Sequence, residues 1–150
     1  MELTKYKKIT KIHKMFEIET PKGTVNDGMI DSPKDLAIAI GNALNVQRIT
    51  TKDVVFSIVS GRIATKEVAV PDMKESKILD MVNSNASEFF PVDIDQYVIK
   101  YAVLEKMTVD DVKKIRLLVA AVPSALVETY YTLAKLLDMK IADMDYSGNS

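Results

Sequence analysis

The chain contains no cysteine, one histidine and five glycines, and this scarcity excludes several kinds of chemistry. Without cysteine there is no disulfide, thiolate metal site or cysteine nucleophile. His13 stands alone, so we expect it on the surface rather than in a catalytic triad or a histidine metal site. The scattered glycines form neither a GxxxxGKS/T nor a GxGxxG motif, so the chain shows no nucleotide-binding fingerprint.

Long hydrophobic runs are also absent. No apolar stretch reaches the roughly 18 residues that a membrane-spanning helix needs, and the N-terminus has no signal-peptide-like apolar block. With 150 residues, of which 47% are hydrophobic, a chain of this size buries roughly 70% of its unfolded surface. We therefore expect a soluble, cytoplasmic protein of one domain or two small subdomains, with no direct insertion into a membrane.

The net charge of −1 provides no overall attraction to nucleic acid or to a lipid surface. A basic N-terminal stretch is formed by Lys5, Lys7, Lys8, Lys11 and Lys14. We interpret it as a solvated strand face or edge, where lysine discourages aggregation, with acidic lipid and nucleic acid as the alternatives. Because only three arginines are present, we expect no nucleic-acid partner.

The N-terminal half contains several local signals of secondary structure. Residues 9–20 favour short strands, and Asp27–Gly28 predicts a turn. Ser32 and Pro33 predict the start of a helix that closes near Asn45. The nearly continuous apolar run over residues 53–59 predicts a strand that lies inside a sheet and is covered on both faces.

The C-terminal half alternates strand and helix signals. After an interruption at Ser60–Gly61, residues 63–70 predict a strand, and an apolar stripe ending at Pro91 predicts one amphipathic helix, with at least one of the two adjacent phenylalanines in the core. Strands are predicted at 97–104 and 114–121 with a longer loop between them, then a helix from Pro123–Ser124 and a closing strand at 140–146. This order predicts a mixed α/β (α+β) fold with helices packed on a sheet.

One motif at the C-terminus imitates a calcium loop. Residues 143–148, DMDYSG, match its first six positions, but the bidentate glutamate belongs at position twelve and the sequence stops at Ser150. Strand alternation explains the same letters, so we expect no metal site here.

Several segments together resemble a known family. They are FEIETPKGTVNDGMI (16–30), VVFSIVSGRIATKEVAVPDMKES (54–76), ASEFFPVDIDQYVIKYAVLE (86–105), LLVAAVPSALVETYYTLAKLLDMKIADMD (117–145) and the tail YSGNS. In this order and spacing they resemble the type IV pilus assembly protein PilM family, actin-like ATP-binding proteins related to the division protein FtsA. The resemblance covers nearly the whole chain.

The resemblance implies a piece of an actin-like (ribonuclease H-like) fold with an inserted strand-helix-strand-strand subdomain. Residues 1–60 and the return strand 139–150 would belong to subdomain 1A, and residues 61–138 would form the inserted subdomain 1C. In the family, a groove shared by these subdomains receives the N-terminal cytoplasmic peptide of the membrane protein PilN. We therefore expect a scaffold peripheral to the cytoplasmic face of the inner membrane, with a PilN-like protein and other pilus platform proteins as partners.

The resemblance also implies that this chain is part of a longer protein. Family members carry one glycine-rich phosphate loop in a segment that would precede Met1 and another in a lobe that would follow Ser150. Because nucleotide chemistry needs such a phosphate cradle and a metal site, we expect this chain to bind no cofactor and to catalyse no reaction. ATP and Mg are expected only for the full-length parent.

The resemblance places the expected peptide contacts at two points. Ser60 and Arg62 lie at the crossing between subdomains, and Phe90, Pro91 and Ile94 lie at the helix exit. Arg62 would be a polar anchor and the others would shape an apolar wall, as in recognition of extended peptides. Two alternatives remain: a structural piece of a nucleotide-hydrolysing actin-like enzyme, or an unrelated ferredoxin-like regulatory domain.

Overall fold

A computed structural model describes residues 1–6 and 9–148 and has a mixed α/β fold. The strands are β1 (Glu2–Tyr6), β2 (Ile9–Lys14), β3 (Val25–Asn26), β4 (Met29–Ile30), β5 (Asp53–Ser60), β6 (Ala64–Pro71), β7 (Tyr97–Val109), β8 (Val112–Pro123) and β9 (Lys140–Gly148). The helices are α1 (Pro33–Val46), α2 (Glu75–Ser84), α3 (Ala86–Phe89) and α4 (Ser124–Leu136). The chain forms two compact units: unit 1 is Met1–Phe56 with Glu128–Asp145, and unit 2 is Ser57–Val127 with the residues from Tyr146 on.

The C-terminal half of α4 packs within unit 1. Leu133 is buried in one cluster with Ile30 and Leu36. Tyr130 packs edge-on against Phe56, with ring centroids 5.1 Å apart and planes at 66°. Residues 128–138 therefore belong to unit 1.

Two small hairpins begin unit 1. β1 and β2 are antiparallel, with Leu3 opposite Ile12. β3 and β4 pair across Asp27 and Gly28, whose φ angles of 46° and 76° are those of a type I′ turn. The predicted Asp-Gly turn is therefore confirmed, whereas the second strand ends at Lys14, well before residue 20.

The helices α1 and α4 end in the same way. Each is followed by a non-glycine residue in the left-handed region, Arg48 at φ 54° and Asp138 at φ 53°. The next residue donates its N–H to a carbonyl of the last helical turn at 2.9 Å in both cases, which completes a Schellman motif. The chain then enters β5 or β9. β5 and β9 pair with each other. The Lys140 N–H donates to the Lys52 carbonyl at 2.8 Å, so the two strands start side by side.

The prediction that β5 is covered on both faces is wrong for the described residues. Its side chains alternate between partly or fully buried and exposed positions, and Val55 and Val59 are 61% and 56% exposed. Within residues 1–6 and 9–148, β5 pairs only with β9. Valine, isoleucine and phenylalanine favour a strand even when one face is open, so the apolar run indicated a strand without indicating a second covering layer.

Unit 2 is built on a three-stranded antiparallel sheet in the order β6-β8-β7. Alternate residues of β8 point to one face, where they are buried against α2 and α3. The main members of this core are Val70, Ile78, Val82, Ala86, Phe90, Ile99, Ile115, Leu117, Val119 and Ala121. On the other face Arg116 lies between Glu105, with Nε 3.2 Å from Oε1, and Glu67, with Nη1 3.8 Å from Oε2; hydrogen-bond geometry is not met at Nε.

The prediction of a longer loop between β7 and β8 is wrong. The two strands continue to a two-residue turn at Asp110 and Asp111, with φ angles of 51° and 62°, so that Val109 pairs with Val112. Their register shifts once, between Val103 and Glu105. The polar residues that suggested a loop belong to a solvent-exposed arm of the hairpin, where neither face needs to be apolar.

The single helix predicted before Pro91 is interrupted at Asn85, between α2 and α3. There the Asn85 amide donates to the Met81 carbonyl and the Ser84 hydroxyl donates to the Asp80 carbonyl, both at 2.8 Å. The Asn85 N–H also donates to the Met81 carbonyl at 3.1 Å, so this carbonyl accepts both a backbone and a side-chain hydrogen bond where α2 ends. The apolar stripe nevertheless faces the sheet of unit 2 as predicted.

The strand pairing contradicts the ferredoxin-like alternative. Such a domain would place its closing strand in the same sheet as β6, β7 and β8. In the described residues β9 pairs with β5 instead. Residues 143–148, which imitate a calcium loop, lie in β9.

Candidate functional site

The turn between β5 and β6 positions two of the expected site residues. Ser60 is fully buried, and its Oγ accepts a hydrogen bond from the Arg62 N–H at 3.1 Å. The Ile63 N–H donates to the Ser60 carbonyl at 3.3 Å. The turn therefore has a buried side chain at Ser60 and an exposed side chain at Arg62.

The segment after α3 positions the other three. Phe90 adopts an extended conformation that ends the helix, and its side chain is only 3% exposed within the core of unit 2. Pro91 follows on the surface, and Ile94 is half-buried against the same core. The buried Phe90 fixes the path of the chain, so that Pro91 and Ile94 form the accessible part of this segment.

The register of the sheet places these two segments at one end of unit 2. β6 and β7 both run antiparallel to β8, so they run parallel to each other; Ala64 and Ile99 both lie opposite Ala121. Arg62 is two residues before Ala64, and Tyr97, two residues before Ile99, is opposite Pro123. Since neighbouring strands are about 4.8 Å apart, roughly 10 Å separates β6 from β7 across the end of β8.

We call this surface the sheet end: Arg62 on one side, and Pro91, Ile94 and Tyr97 on the other. The sheet end combines one cation with an apolar rim. Ser60 and Phe90 are the buried residues next to it in these two segments. Tyr97, half-buried beside Ile94, was not among the expected site residues. The strand predicted from residue 97 was the signal that could have found it, because β7 begins at Tyr97.

Two carboxylates next to Ile94 were also missed. Asp93 and Asp95 are exposed on either side of it. The Gln96 side-chain amide donates to Asp93 Oδ2 at 2.9 Å and the Gln96 N–H donates to the Asp93 carbonyl at 3.0 Å, which shapes the short helical turn before β7. The alternation of acidic and apolar residues in this stretch was the available signal. The sheet end therefore offers groups of both charges.

In residues 1–6 and 9–148, no group of three histidine, cysteine, aspartate or glutamate residues is placed to hold a metal ion. His13 is exposed, and its Nε2 lies 2.9 Å from Thr4 Oγ1. No helix in these residues is long and apolar enough to cross a membrane. The sheet end presents one cation, two carboxylates and an apolar rim.

A solved structure shares the fold of this chain. A chain in the structure of a "PilM-PilN type IV pilus biogenesis complex" has a TM-score of 0.74 to this one at 23% sequence identity, over 85% of this chain and 38% of that chain. At this identity the likeness shows the fold, the actin-like α/β fold that the resemblance implied. This chain spans less than two fifths of the length of that relative.

A family model then names the family. The model described as "Type IV pilus assembly protein PilM" matches residues 1–147, and the chain belongs to this family. A search of curated proteins found no match.

Proposed function

We propose that this chain is the peptide-docking part of a cytoplasmic scaffold in the type IV pilus assembly platform. Its sheet end contributes one wall of the site for the N-terminal cytoplasmic peptide of a PilN-like membrane protein. The proposal is supported by the family, by the PilM-PilN complex to which the solved relative belongs, and by one observation on this chain. The strand register brings Arg62 and the Pro91–Tyr97 segment to the same end of one sheet.

The chemistry of the sheet end suits an extended peptide. Such a peptide gains main-chain hydrogen bonds and inserts alternate side chains into apolar recesses. Arg62 would bind a carbonyl or a carboxylate of the peptide, and Pro91, Ile94 and Tyr97 would contact its apolar side chains. Ser60 and Phe90 would act indirectly, because both are buried and hold the two walls in place.

The test is titration of the chain with a synthetic peptide that copies the N-terminal cytoplasmic segment of the PilN-like protein encoded beside it. We expect Arg62→Ala and Ile94→Asp each to weaken binding by about tenfold or more, as expected for the loss of one anchor contact. Arg48→Ala, which removes an exposed arginine of unit 1, is the matched control and should not change the affinity. Isothermal titration calorimetry measures all four proteins.

Phe90→Ala is unsuitable for this test because loss of a buried ring destabilises the fold itself. Unchanged affinity in both sheet-end variants would place the peptide elsewhere. No binding by the chain, with binding by the longer protein, would show that this chain alone does not form the site.

We further propose that nucleotide binding, with ATP and Mg, is a property of the longer parent and not of these residues, as the missing glycine-rich motifs suggest. Titration of the chain with Mg-ATP should give no binding heat and no shift in thermal unfolding. Saturable binding would favour the alternative of a nucleotide-hydrolysing enzyme whose site extends into this chain.

A further inference from the structure

A cleft of about 770 Å³ opens on the surface of unit 1, where α4 ends and β9 begins. The Schellman turn at Asp138 reverses the chain here, so that the last turns of α4 and the first residues of β9 form neighbouring walls. The lining residues are Lys52, Tyr131, Thr132, Ala134, Lys135, Asp138, Met139, Lys140 and Ile141.

Charge in this cleft is predominantly positive. Lys52, Lys135 and Lys140 line it, and the only carboxylate among the lining residues is that of Asp138. Lys52 Nζ lies 3.0 Å from Asp138 Oδ2, which neutralises one lysine. Lys135 and Lys140 form no ion pair with another described residue, and both are exposed. Three ammonium groups against one carboxylate leave the cleft with two unbalanced positive charges.

Apart from Thr132, the rest of the lining is largely apolar. Ala134 is buried, Met139 and Ile141 are half-buried, and the ring of Tyr131 is exposed at the rim. A second cleft of about 260 Å³ shares Lys52 and Met139 with the first and continues toward the end of α1. The combined surface therefore offers apolar recesses beside two free ammonium groups.

We propose that this lysine cleft, defined by Lys52, Lys135, Asp138 and Lys140, binds an extended acidic segment of a partner protein. Carboxylates of the segment would approach Lys135 and Lys140, and an apolar side chain would enter the recess between Tyr131, Met139 and Ile141. Charge complementarity carries the assignment, because the cleft holds two cations that no described residue balances. An acidic lipid surface fits less well, because such surfaces recruit clusters of about four to eight basic residues and need no recess.

The proposal is independent of the peptide site at the sheet end. All of the lining residues belong to unit 1, whereas the sheet end is formed by unit 2. Lys52 directly precedes β5 and Ser60 ends it, so the full length of that strand separates them along the chain.

The experiment selects peptides from a library of random dodecapeptides displayed on phage, using the chain as bait. Peptides that also bind the double variant Lys135→Glu/Lys140→Glu are removed by counter-selection. A control double variant, Lys34→Glu/Lys77→Glu, makes the same change in net charge in the first turns of α1 and α2, where glutamate is tolerated well. Circular dichroism confirms that both variants keep the fold.

We expect surviving peptides that are rich in aspartate and glutamate around an apolar residue. They should bind the chain and the control equally, bind the cleft variant about tenfold or more weakly, and shift the amide NMR signals of residues 131–141. Binding should also weaken with added salt.

Three results would overturn the proposal. They are the absence of any surviving peptide, survivors that are neutral or basic, and NMR shifts that lie outside the cleft. Binding of the chain to vesicles rich in phosphatidylglycerol, lost in the cleft variant while no peptide survives, would assign the lysines to a membrane surface instead.

Discussion

The two units of this chain distribute their apolar residues in different ways. Unit 2 places one face of its sheet against α2 and α3, and Ile78, Phe90 and Leu117 are among the large apolar side chains buried in that core. Unit 1 has a smaller buried cluster around Leu36 and Leu133, and it leaves Ile9, Met15 and Val55 exposed. The number of apolar residues in a unit therefore does not by itself predict the size of its buried core. Unit 2 relies on its interior, whereas unit 1 depends more on single contacts and presents apolar surface to its surroundings.

The most direct test of this difference between the units is to truncate a core side chain of unit 2. Leu117 is fully buried at the centre of β8, so Leu117→Ala should lower the free energy of unfolding by about 2–5 kcal/mol. Leu104→Ala makes the same chemical change at a side chain that is 41% exposed, and it should cost less than about 0.5 kcal/mol. Urea denaturation followed by circular dichroism measures both. Equal losses would show that unit 2 does not depend on this core.

In unit 1 we expect a single side-chain hydrogen bond to contribute measurably to the free energy of unfolding. The Tyr130 hydroxyl donates to the Gly28 carbonyl at 2.8 Å and ties α4 to the β3-β4 turn. Tyr130→Phe removes the donor and leaves a carbonyl unpaired, which should cost about 1–2 kcal/mol. Tyr131→Phe is the control one residue away, because Tyr131 is exposed, and it should have almost no effect. The comparison fails if the two variants unfold at the same urea concentration.

The same tyrosine gives unit 1 a dependence on pH. Burial raises the pKa of the Tyr130 phenol above its ordinary value near 10. Its stabilising effect is complete below that value, and it is lost as the pH rises toward the pKa of the folded state, because the unfolded chain ionises first. Above pH 10 the wild type should therefore lose stability faster than Tyr130→Phe. Parallel curves for the two proteins would contradict this.

The smallest effect concerns the turn after α1. Arg48 occupies the left-handed region at φ 54°, which a residue with a Cβ adopts at a cost of about 1 kcal/mol. Arg48→Gly should relieve that cost and raise the free energy of unfolding by about 0.5–1 kcal/mol. Arg48→Ala keeps the strain and should give no gain. A destabilised glycine variant would show that the arginine side chain contributes more than its backbone costs.

Much of the fold could be predicted because its signals are local. Asp27–Gly28 specified a turn, Ser32–Pro33 started α1 within one residue, and the closing strand lies where the alternation placed it. The length of the β7-β8 arm could not be predicted, because polar residues on a strand with both faces in water resemble a loop. The open face of β5 was missed because the sequence of one strand does not reveal what lies over it.

The candidate site shows the same division. That at least one of Phe89 and Phe90 packs in the core followed from their position at a helix end, and Phe90 is the more deeply buried of the two. Which of them is buried depends on the break at Asn85. The approach of Arg62 to the Tyr97 side of the sheet depends on pairing with β8, some 60 residues further along the chain, and no local pattern encodes it.

The register shift in β7 has a consequence for how this protein behaves at high concentration. β7 is an outer strand of the unit 2 sheet, and such a strand can template the addition of another chain. The irregularity between Val103 and Glu105 interrupts the row of backbone donors and acceptors there, and the exposed Lys100 and Lys106 add charges that an incoming strand would have to desolvate. We therefore expect these two features to disfavour the addition of a further strand along β7.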